Sequence, residues 1–300
     1  MSRSREEVLQ QLIAWADTQP LVRAVILTSS QAGDGSKVDR LSDYDVILFV
    51  TDTSPFVTDE SWICSFGTPV VMFRWISGEE GPMTQHTRLV NYADMVRIDF
   101  NLSPVAVLRQ MLEAPSCPKE LDLGYRVLVD KDNLTRTLPL PTNQAYLPTV
   151  PTQNDFRELI EEFWWDATYV PKYLWRGELF TARITHEDLR FRHLFQMLDW
   201  WLGCKYDWSV GSGRAGRYLQ QLLPSDMWVA LGETCAGADI PDNWRAFWRM
   251  LDLFRDISHQ VAAQLGFAYP DDLDTQVTAY LRKVSTMERE EARYGEVFKA

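Results

Sequence analysis

Residues 138–152 read Leu-Pro-Leu-Pro-Thr-Asn-Gln-Ala-Tyr-Leu-Pro-Thr-Val-Pro-Thr, with prolines at 139, 141, 148 and 151. Proline lacks the backbone donor that a helix interior or a central strand needs, and it biases the preceding residue toward extended geometry. Neither element can run through this stretch, so it divides the chain. The hydrophobic period differs on its two sides. Before it, short β-branched runs alternate with helical stripes; after it, apolar residues recur at helical spacing alone. The expectation is an α+β protein: a domain at 1–140 with a mixed β-sheet and flanking helices, a proline-rich linker at 141–152, and a helical bundle at 153–300. A length of 300 residues suits two such domains, each with its own core.

In the first half, Ser4-Arg5-Glu6-Glu7 has the form of a capping box. Val8, Leu9, Leu12, Ile13 and Ala16 then give one helical stripe that ends near Gln19-Pro20. Strands are expected at 21–28, 46–50, 69–75, 87–92, 95–102 and 125–129. Short helices are expected near 59–66 and from Ser103-Pro104 through Leu112. Polar, glycine-bearing loops fall at 31–40 and 77–83, the second containing Gly78, Glu79, Glu80, Gly81 and Pro82. In the second half, Phe156, Leu159, Ile160, Phe163, Ala167, Val170 and Leu174 keep the helical period. A second long helix is expected over about 178–202, with others at 218–223, 226–232 and 243–265.

The formal charge of −12 argues against nucleic acid or an anionic membrane as the main partner, and it suits a cationic small substrate. Cys64, Cys117, Cys204 and Cys235 are widely spaced, with no C-x-x-C pair, and read as reduced thiols. The opening residues lack an apolar run behind a basic cap, and no stretch approaches the roughly 20 apolar residues that span a bilayer. A soluble cytoplasmic protein is expected.

The chemistry concentrates where Leu41-Ser42-Asp43-Tyr44-Asp45 enters an apolar strand. Side chains alternate along a strand, so Asp43 and Asp45 share a face. A packed core does not ask for paired like charges there; a Mg²⁺ ion does. The bland alternative is a solvated loop-to-strand boundary. Ser29-Ser30, at the end of the previous strand, offers backbone donors and hydroxyls to a phosphate. Asp99, a lone acid in Val96-Arg97-Ile98-Asp99-Phe100, is either a third carboxylate of the same site or an acid paired with Arg97 or Arg126. Together the three carboxylates suggest metal-assisted nucleotidyl transfer, with Asp99 a ligand or the base that takes a hydroxyl proton.

Other candidates follow the linker. Glu162 and Asp166, with Glu161, Trp164, Trp165 and Tyr169, form either an acidic, aromatic-walled recess for a cationic substrate or a helix with core aromatics and a wet acidic face. Asp188, His193 and Asp199 lie on the next helix, His193 being a core residue or a substrate contact. Lys172 and Arg176 project from the end of the aromatic helix as solvated cations or as phosphate ligands. Gly211-Ser212-Gly213-Arg214-Ala215-Gly216-Arg217 is either a flexible connection or an anion-binding loop at a helix start.

The chain resembles the aminoglycoside 6-adenylyltransferase (streptomycin adenylyltransferase) family of the nucleotidyltransferase superfamily, collinearly over almost its whole length. The resemblance rests on Leu27, Ser30 and Ala32; Asp43-Tyr44-Asp45; Ile98-Asp99 with Pro104; Glu162-Phe163-Trp164 and Tyr169-Val170; Arg192-His193 with Met197 and Trp200; Ser209-Val210-Gly211; Val261-Ala262; and Tyr269-Pro270. It implies a nucleotidyltransferase-fold domain followed by a helical domain, with the active site between them. ATP and Mg²⁺ would serve transfer of AMP to an aminoglycoside hydroxyl, as in streptomycin, with release of pyrophosphate. Under this resemblance Asp43, Asp45 and Asp99 are catalytic and hold metal. Ser29, Ser30, Ser42, Lys172, Arg214 and Arg217 meet the nucleotide. Glu162, Trp165, Asp166, Tyr169, Asp188 and His193 meet the acceptor. The chain departs from the family at Ser29, where the turn carries Gly, at Gln31, where it carries Arg, and after Ser209-Val210, where the family has Gly-Lys and this chain has Gly211-Ser212-Gly213-Arg214 and then Arg217. Two alternatives stand beside this reading: the same transfer to a non-aminoglycoside small molecule, and a non-catalytic nucleotide or ligand sensor.

Overall fold

A computed structural model describes residues 3–33, 38–77, 81 and 83–288. Residues 34–37 of the first polar loop, and Gly78, Glu79, Glu80 and Pro82 of the second, lie outside the described residues. The chain divides into two compact units, Met1–Tyr146 and Leu147–Ala300.

The first unit opens on α1 (Arg5–Thr18), where Ser4 and Glu7 form the reciprocal capping box. Then come β1 (Val22–Thr28), β2 (Tyr44–Val50), α2 (Ser54–Thr58), β3 (Pro69–Ser77), β4 (Gln85–Tyr92), β5 (Arg97–Pro104), α3 (Val105–Glu113) and β6 (Tyr125–Asp130). The sheet order is β3-β4-β5-β2-β1-β6. Its pairings are antiparallel except β2 with β5, which run parallel. A parallel neighbour needs a long crossover, and here the chain makes it through α2, β3 and β4.

Strand parity builds two cores. Val46, Leu48 and Val50 face α1 with Val25, Leu27, Ile98, Phe100 and the ring cluster of Trp15, Trp62 and Phe66. Ile47 and Phe49 face the other way, onto Ala24, Ile26, Val107 and Leu108. Asp45 shares the parity of Ile47 and Phe49, so the candidate carboxylates stand at the end of this second core. The helix expected near 59–66 is a 3₁₀ segment, Ser61–Phe66, and α2 before it carries no helical stripe long enough to read. Edge strand β3 leaves Val70, Val71, Phe73, Trp75 and Ile76 exposed. After β6, the backbone of Thr142 and Ala145 donates to the Asp122 carboxylate, which ties this stretch of chain to the first unit.

The second unit is helical: α4 (Gln153–Ala167), α5 (Tyr169–Arg176), α6 (Leu179–Leu189), α7 (Phe195–Lys205), α8 (Leu219–Leu222), α9 (Ser225–Glu233), α10 (Ile240–Leu265) and α11 (Asp271–Thr286). The apolar period from Phe156 to Leu174 is interrupted at Thr168, between α4 and α5. The long helix expected over 178–202 contains one π turn, Arg190–Leu194, joining α6 to α7. Its core stacks Phe163 on Phe254 at 3.5 Å between ring centroids. No helix is expected from sequence beyond residue 265, yet the chain continues into α11, whose buried residues are Asp274 and Leu281. Leu273, Val277 and Leu281 pack it on the core, and polar bonds add to them: Arg255 Nε donates to Asp274 Oδ2 at 2.6 Å and Arg255 Nη2 to Asp274 Oδ1 at 2.8 Å. Among the described residues no helix is long and apolar enough to cross a membrane.

Candidate active site

β1 ends at Thr28, opposite Asp45, and a 3₁₀ turn Ser29–Ala32 follows. Ser29 adopts φ 60°, the left-handed region that costs an L-residue about 1 kcal/mol or more. Its hydroxyl hydrogen-bonds the Asp45 carboxylate. On the other side of β2, the parallel register pairs Tyr44 with Ile98 and Asp45 with Asp99. Carried one residue back, it sets Arg97 beside Asp43. Asp43, Asp45, Arg97 and Asp99 thus make four corners of one sheet face, three acidic and one basic.

Arg97 commits both ends of its guanidinium. Its Nε donates to Asp99 Oδ1 at 2.9 Å and its Nη2 to Asp99 Oδ2 at 2.8 Å. Its Nη1 lies 3.5 Å from Asp43 Oδ2. Among the described residues Asp45 has no ion-pair partner at such a distance. Burial pushes its carboxyl up to about 6, with repulsion from Asp99 and Asp43 adding and the Ser29 hydrogen bond subtracting. Asp43 is raised too, first by burial, with Arg97 opposing and Asp99 adding to the shift. Desolvated like charges made of hard oxygens are the donor set that Mg²⁺ takes, and the guanidinium among them marks a place that requires positive charge. Among the described residues, no three of His, Cys, Asp and Glu converge as a ready metal cage. Asp99 is instead paired with Arg97. By donor chemistry Asp43, Asp45 and Asp99 suit a divalent ion, with Arg97 now paired to two of them.

The sequence reading gave Arg5 only to the helix cap. In the structure its guanidinium reaches the phosphate-candidate turn: Nε donates to Gln31 Oε1 at 3.1 Å, and Nη2 to the carbonyls of Gln31 at 2.7 Å and Gly33 at 2.8 Å. A concavity of about 580 Å³ opens there, lined by Arg3, Arg5, Gln31, Arg40, Ser42 and Tyr44 among others. Ser42 itself donates its backbone N–H to Asp39, and its hydroxyl meets the Asp39 carboxylate at 3.2 Å. No local pattern links Arg5 to a turn 26 residues away, so sequence carried no signal for it.

In the second unit Glu162 is exposed, Trp165 is 67% exposed, and Asp166 and Tyr169 are half-buried. Trp165 and Tyr169 meet edge to face, their centroids 6.3 Å apart. Glu161, Glu162, Trp165, Asp166 and Arg192 line a recess of about 460 Å³. Arg192 Nη1 lies 3.2 Å from Asp188 and 3.6 Å from Asp166, so a guanidinium already sits among these acids. His193 is 1% exposed and reaches the recess through Asp166, whose Oδ2 is 3.1 Å from its Nε2. A larger concavity of about 1340 Å³ lies between α4 and α11, walled by Trp164, Trp165, Tyr269, Tyr280, Asp271 and Asp272 among others. Trp164 is fully buried, its indole N–H donating to the Tyr269 hydroxyl.

Lys172 is exposed, its ammonium 5.6 Å from the ring centroids of both Tyr169 and Tyr173. Arg214 and Arg217 are exposed on the glycine-rich loop. That loop does not open a long helix, because α8 runs only four residues. Its N–H groups at Gly216, Arg217 and Tyr218 are spent on the carbonyls of Gly213, Arg214 and Ser212. The two exposed guanidinium groups are the loop's charged groups suited to an anion. Gly213 and Gly216 both hold φ +73°, and a Cβ on Gly213 would meet the Tyr218 ring at 2.5 Å. The Ser212 N–H is fixed by Asp199 Oδ1 at 2.8 Å.

The family model for streptomycin adenylyltransferase matches residues 2–284. This chain belongs to that family. It is an enzyme, a nucleotidyltransferase whose family brings ATP as the adenylyl donor. An aminoglycoside 6-adenylyltransferase of Campylobacter jejuni is 29% identical over 296 residues, covering 98% of both chains. One of the same name from Bacillus subtilis strain 168 is 26% identical over 281 residues, 93% of this chain and 96% of that one. A crystal structure of an aminoglycoside 6-adenyltransferase from Bacillus subtilis covers 95% of this chain and 100% of its own at 24% identity, with a TM-score of 0.47. Against the family turn, the two departures acquire physical content. Ser29 holds the φ that glycine adopts freely, and its hydroxyl is used on Asp45. Where Gln31 replaces the family's Arg, a guanidinium returns from Arg5 on another element.

Proposed function

We propose that this enzyme transfers AMP from ATP to a hydroxyl of an aminoglycoside such as streptomycin, with Mg²⁺ and release of pyrophosphate, in the cytoplasm. The observation that carries the reading is the in-register placement of Asp45 and Asp99 beside Asp43, on a chain whose relatives over nearly full length are named for aminoglycoside adenylylation. Asp43 and Asp45 would hold Mg²⁺, which when bound neutralises charge on the triphosphate and its leaving group. Asp99 completes the set or accepts the proton of the attacking hydroxyl. Ser29, Ser30 and Ser42 serve the nucleotide, Ser29 by keeping Asp45 oriented. Lys172, Arg214 and Arg217 bring the cations for its phosphates.

Glu162, Asp166 and Asp188 would pair with the acceptor's cationic groups, Trp165 and Tyr169 would stack on it, and His193 would orient Asp166. The existing contact of Arg192 with Asp166 and Asp188 supports a cation preference at this recess. The test is calorimetry with Mg²⁺-ATP followed by pyrophosphate release over an aminoglycoside panel. Release with streptomycin is expected. Release only with other small molecules, such as lincosamides, overturns the acceptor assignment, and nucleotide binding without release from any acceptor overturns the transfer.

A further inference from the structure

Arg97 has no place in the chemistry so far, yet it contacts two of its three carboxylates. Its position follows from the strands. As the first residue of β5 it shares a face with Asp99, and the parallel register sets it beside Asp43. The tight turn before it, with Tyr92 N–H donating to Val96 O at 2.8 Å, fixes where its backbone starts. Its side chain is 37% exposed, while that of Asp99 is 11% exposed. The acid is therefore held in place, and the base has a path to water.

We propose that Arg97 is a resident counter-ion of the carboxylate site, which occupies the cation's position in the metal-free enzyme and gives it up when the divalent ion binds. This rests on the reading of Asp43, Asp45 and Asp99 as metal ligands. A guanidinium and a doubly charged ion repel across a few ångströms of partly desolvated space, so the two do not share Asp99 in this geometry. Without either, three carboxylates face one another unscreened. Arg97 thus keeps the metal-free site folded, and the same contacts lower its metal affinity, because its two charge-assisted hydrogen bonds to Asp99 must break first. Arg97 is a positioning residue and touches no substrate in this role.

The test is binding of Mn²⁺ alone, as a paramagnetic stand-in, followed by electron paramagnetic resonance with the nucleotide-free protein. Arg97→Met is expected to bind Mn²⁺ about tenfold more tightly than wild type, the scale of one charge-assisted pair. It should also melt lower without metal and recover when metal is added. Arg97→Lys keeps the charge but not the two-pronged contact, so it should fold normally and show a smaller gain. Should Arg97→Met fail to fold, Arg97→Lys alone decides. Unchanged or weaker Mn²⁺ binding in the folded variants, with wild type binding normally, overturns the role of Arg97 alone. Failure of wild type to bind Mn²⁺ even with ATP present overturns the metal-site reading beneath it.

Discussion

Asp45 on β2 and Asp99 on β5 lie directly across from each other in a parallel pairing, within one strand spacing of about 4.8 Å. Two carboxylates so placed, with Asp43 near, repel unless a cation stands among them. Arg97 pairs with Asp99 and Asp43 and acts on Asp45 only at longer range, where the Ser29 hydroxyl opposes the burial. Asp45→Asn should therefore lower pyrophosphate release by about a thousandfold or more while leaving the fold intact, because it removes a metal-ligating charge and a buried repulsion together. Turnover assays beside a thermal melt check this. Wild-type turnover would remove the metal from the mechanism.

Ser29 poses a balance between backbone and side chain. Glycine relieves the φ of 60° but takes away the donor to Asp45. Ser29→Gly is expected to change unfolding free energy by less than about 1 kcal/mol, whereas Ser29→Val, β-branched at the same φ, should lose about 2 kcal/mol or more. Urea unfolding of both variants gives the comparison. Equal stability of the two would mean that the turn is not held at this geometry.

Arg5 acts on the same turn from behind. Its three contacts to Gln31 and Gly33 hold the backbone that follows Ser30 and keep a positive charge beside it. Arg5→Ala should raise the KM for ATP by about tenfold with a smaller effect on kcat. Steady-state kinetics at saturating acceptor measures this, and an unchanged KM would confine Arg5 to structure.

His186 sets an acid limit on the helical unit. It is 3% exposed, and burial first, then the charges of Arg190 and Arg183, bring its pKa down to about 4. The unfolded chain takes up this proton near pH 6.5 and the folded one does not. Its contribution is therefore fully present above about pH 6.5 and is lost as pH falls toward 4, by about 3 kcal/mol. His186→Phe should flatten that part of the stability profile, as read by denaturant midpoints from pH 4 to 7. A slope that persists undiminished would assign the acid limit to other groups.

The sequence was most readable where local pattern and tertiary demand coincide. The Ser4–Glu7 box, the β-branched runs of β1 and β2, and the stripe of α4 each bury the side that their period marks. The three aspartates stood out because a strand rarely carries uncompensated acids. The Asp99–Arg97 pair, two residues apart on one strand, was among the alternatives and is formed; pairing between separate elements could not be read. Nothing in the sequence around Arg97 tells whether it faces Asp43, and nothing near Arg5 points to Gln31, since both contacts depend on which elements become neighbours. α11 escaped because its apolar stripe is short, Leu273, Val277 and Leu281 among polar residues, and an Arg255–Asp274 pair shares in holding it. The glycine-rich loop fits either a flexible connection or an anion-binding helix start by sequence, and in the structure three of its N–H groups, at Gly216, Arg217 and Tyr218, are used within the loop.

The π turn at Arg190–Leu194 bears on chain length. Counted at about 100° per residue from Ala182, an unbroken α-helix would carry Leu198 to about 160° and Leu202 to about 200°, away from the face of His186 and Leu189. Both leucines are nevertheless fully buried. The wide turn absorbs one residue and returns the later half of the helix to the core. A one-residue deletion inside 190–194 can thus be taken up by closing that turn to α geometry, with Leu189 before it and Leu198 after it still facing inward. Within α7, where Met197, Leu198, Trp200, Leu202 and Gly203 are buried around the helix, there is no such wide turn to absorb the same deletion. Along this helix, tolerance to a change in length is local, and it lies beside His193 and Asp166.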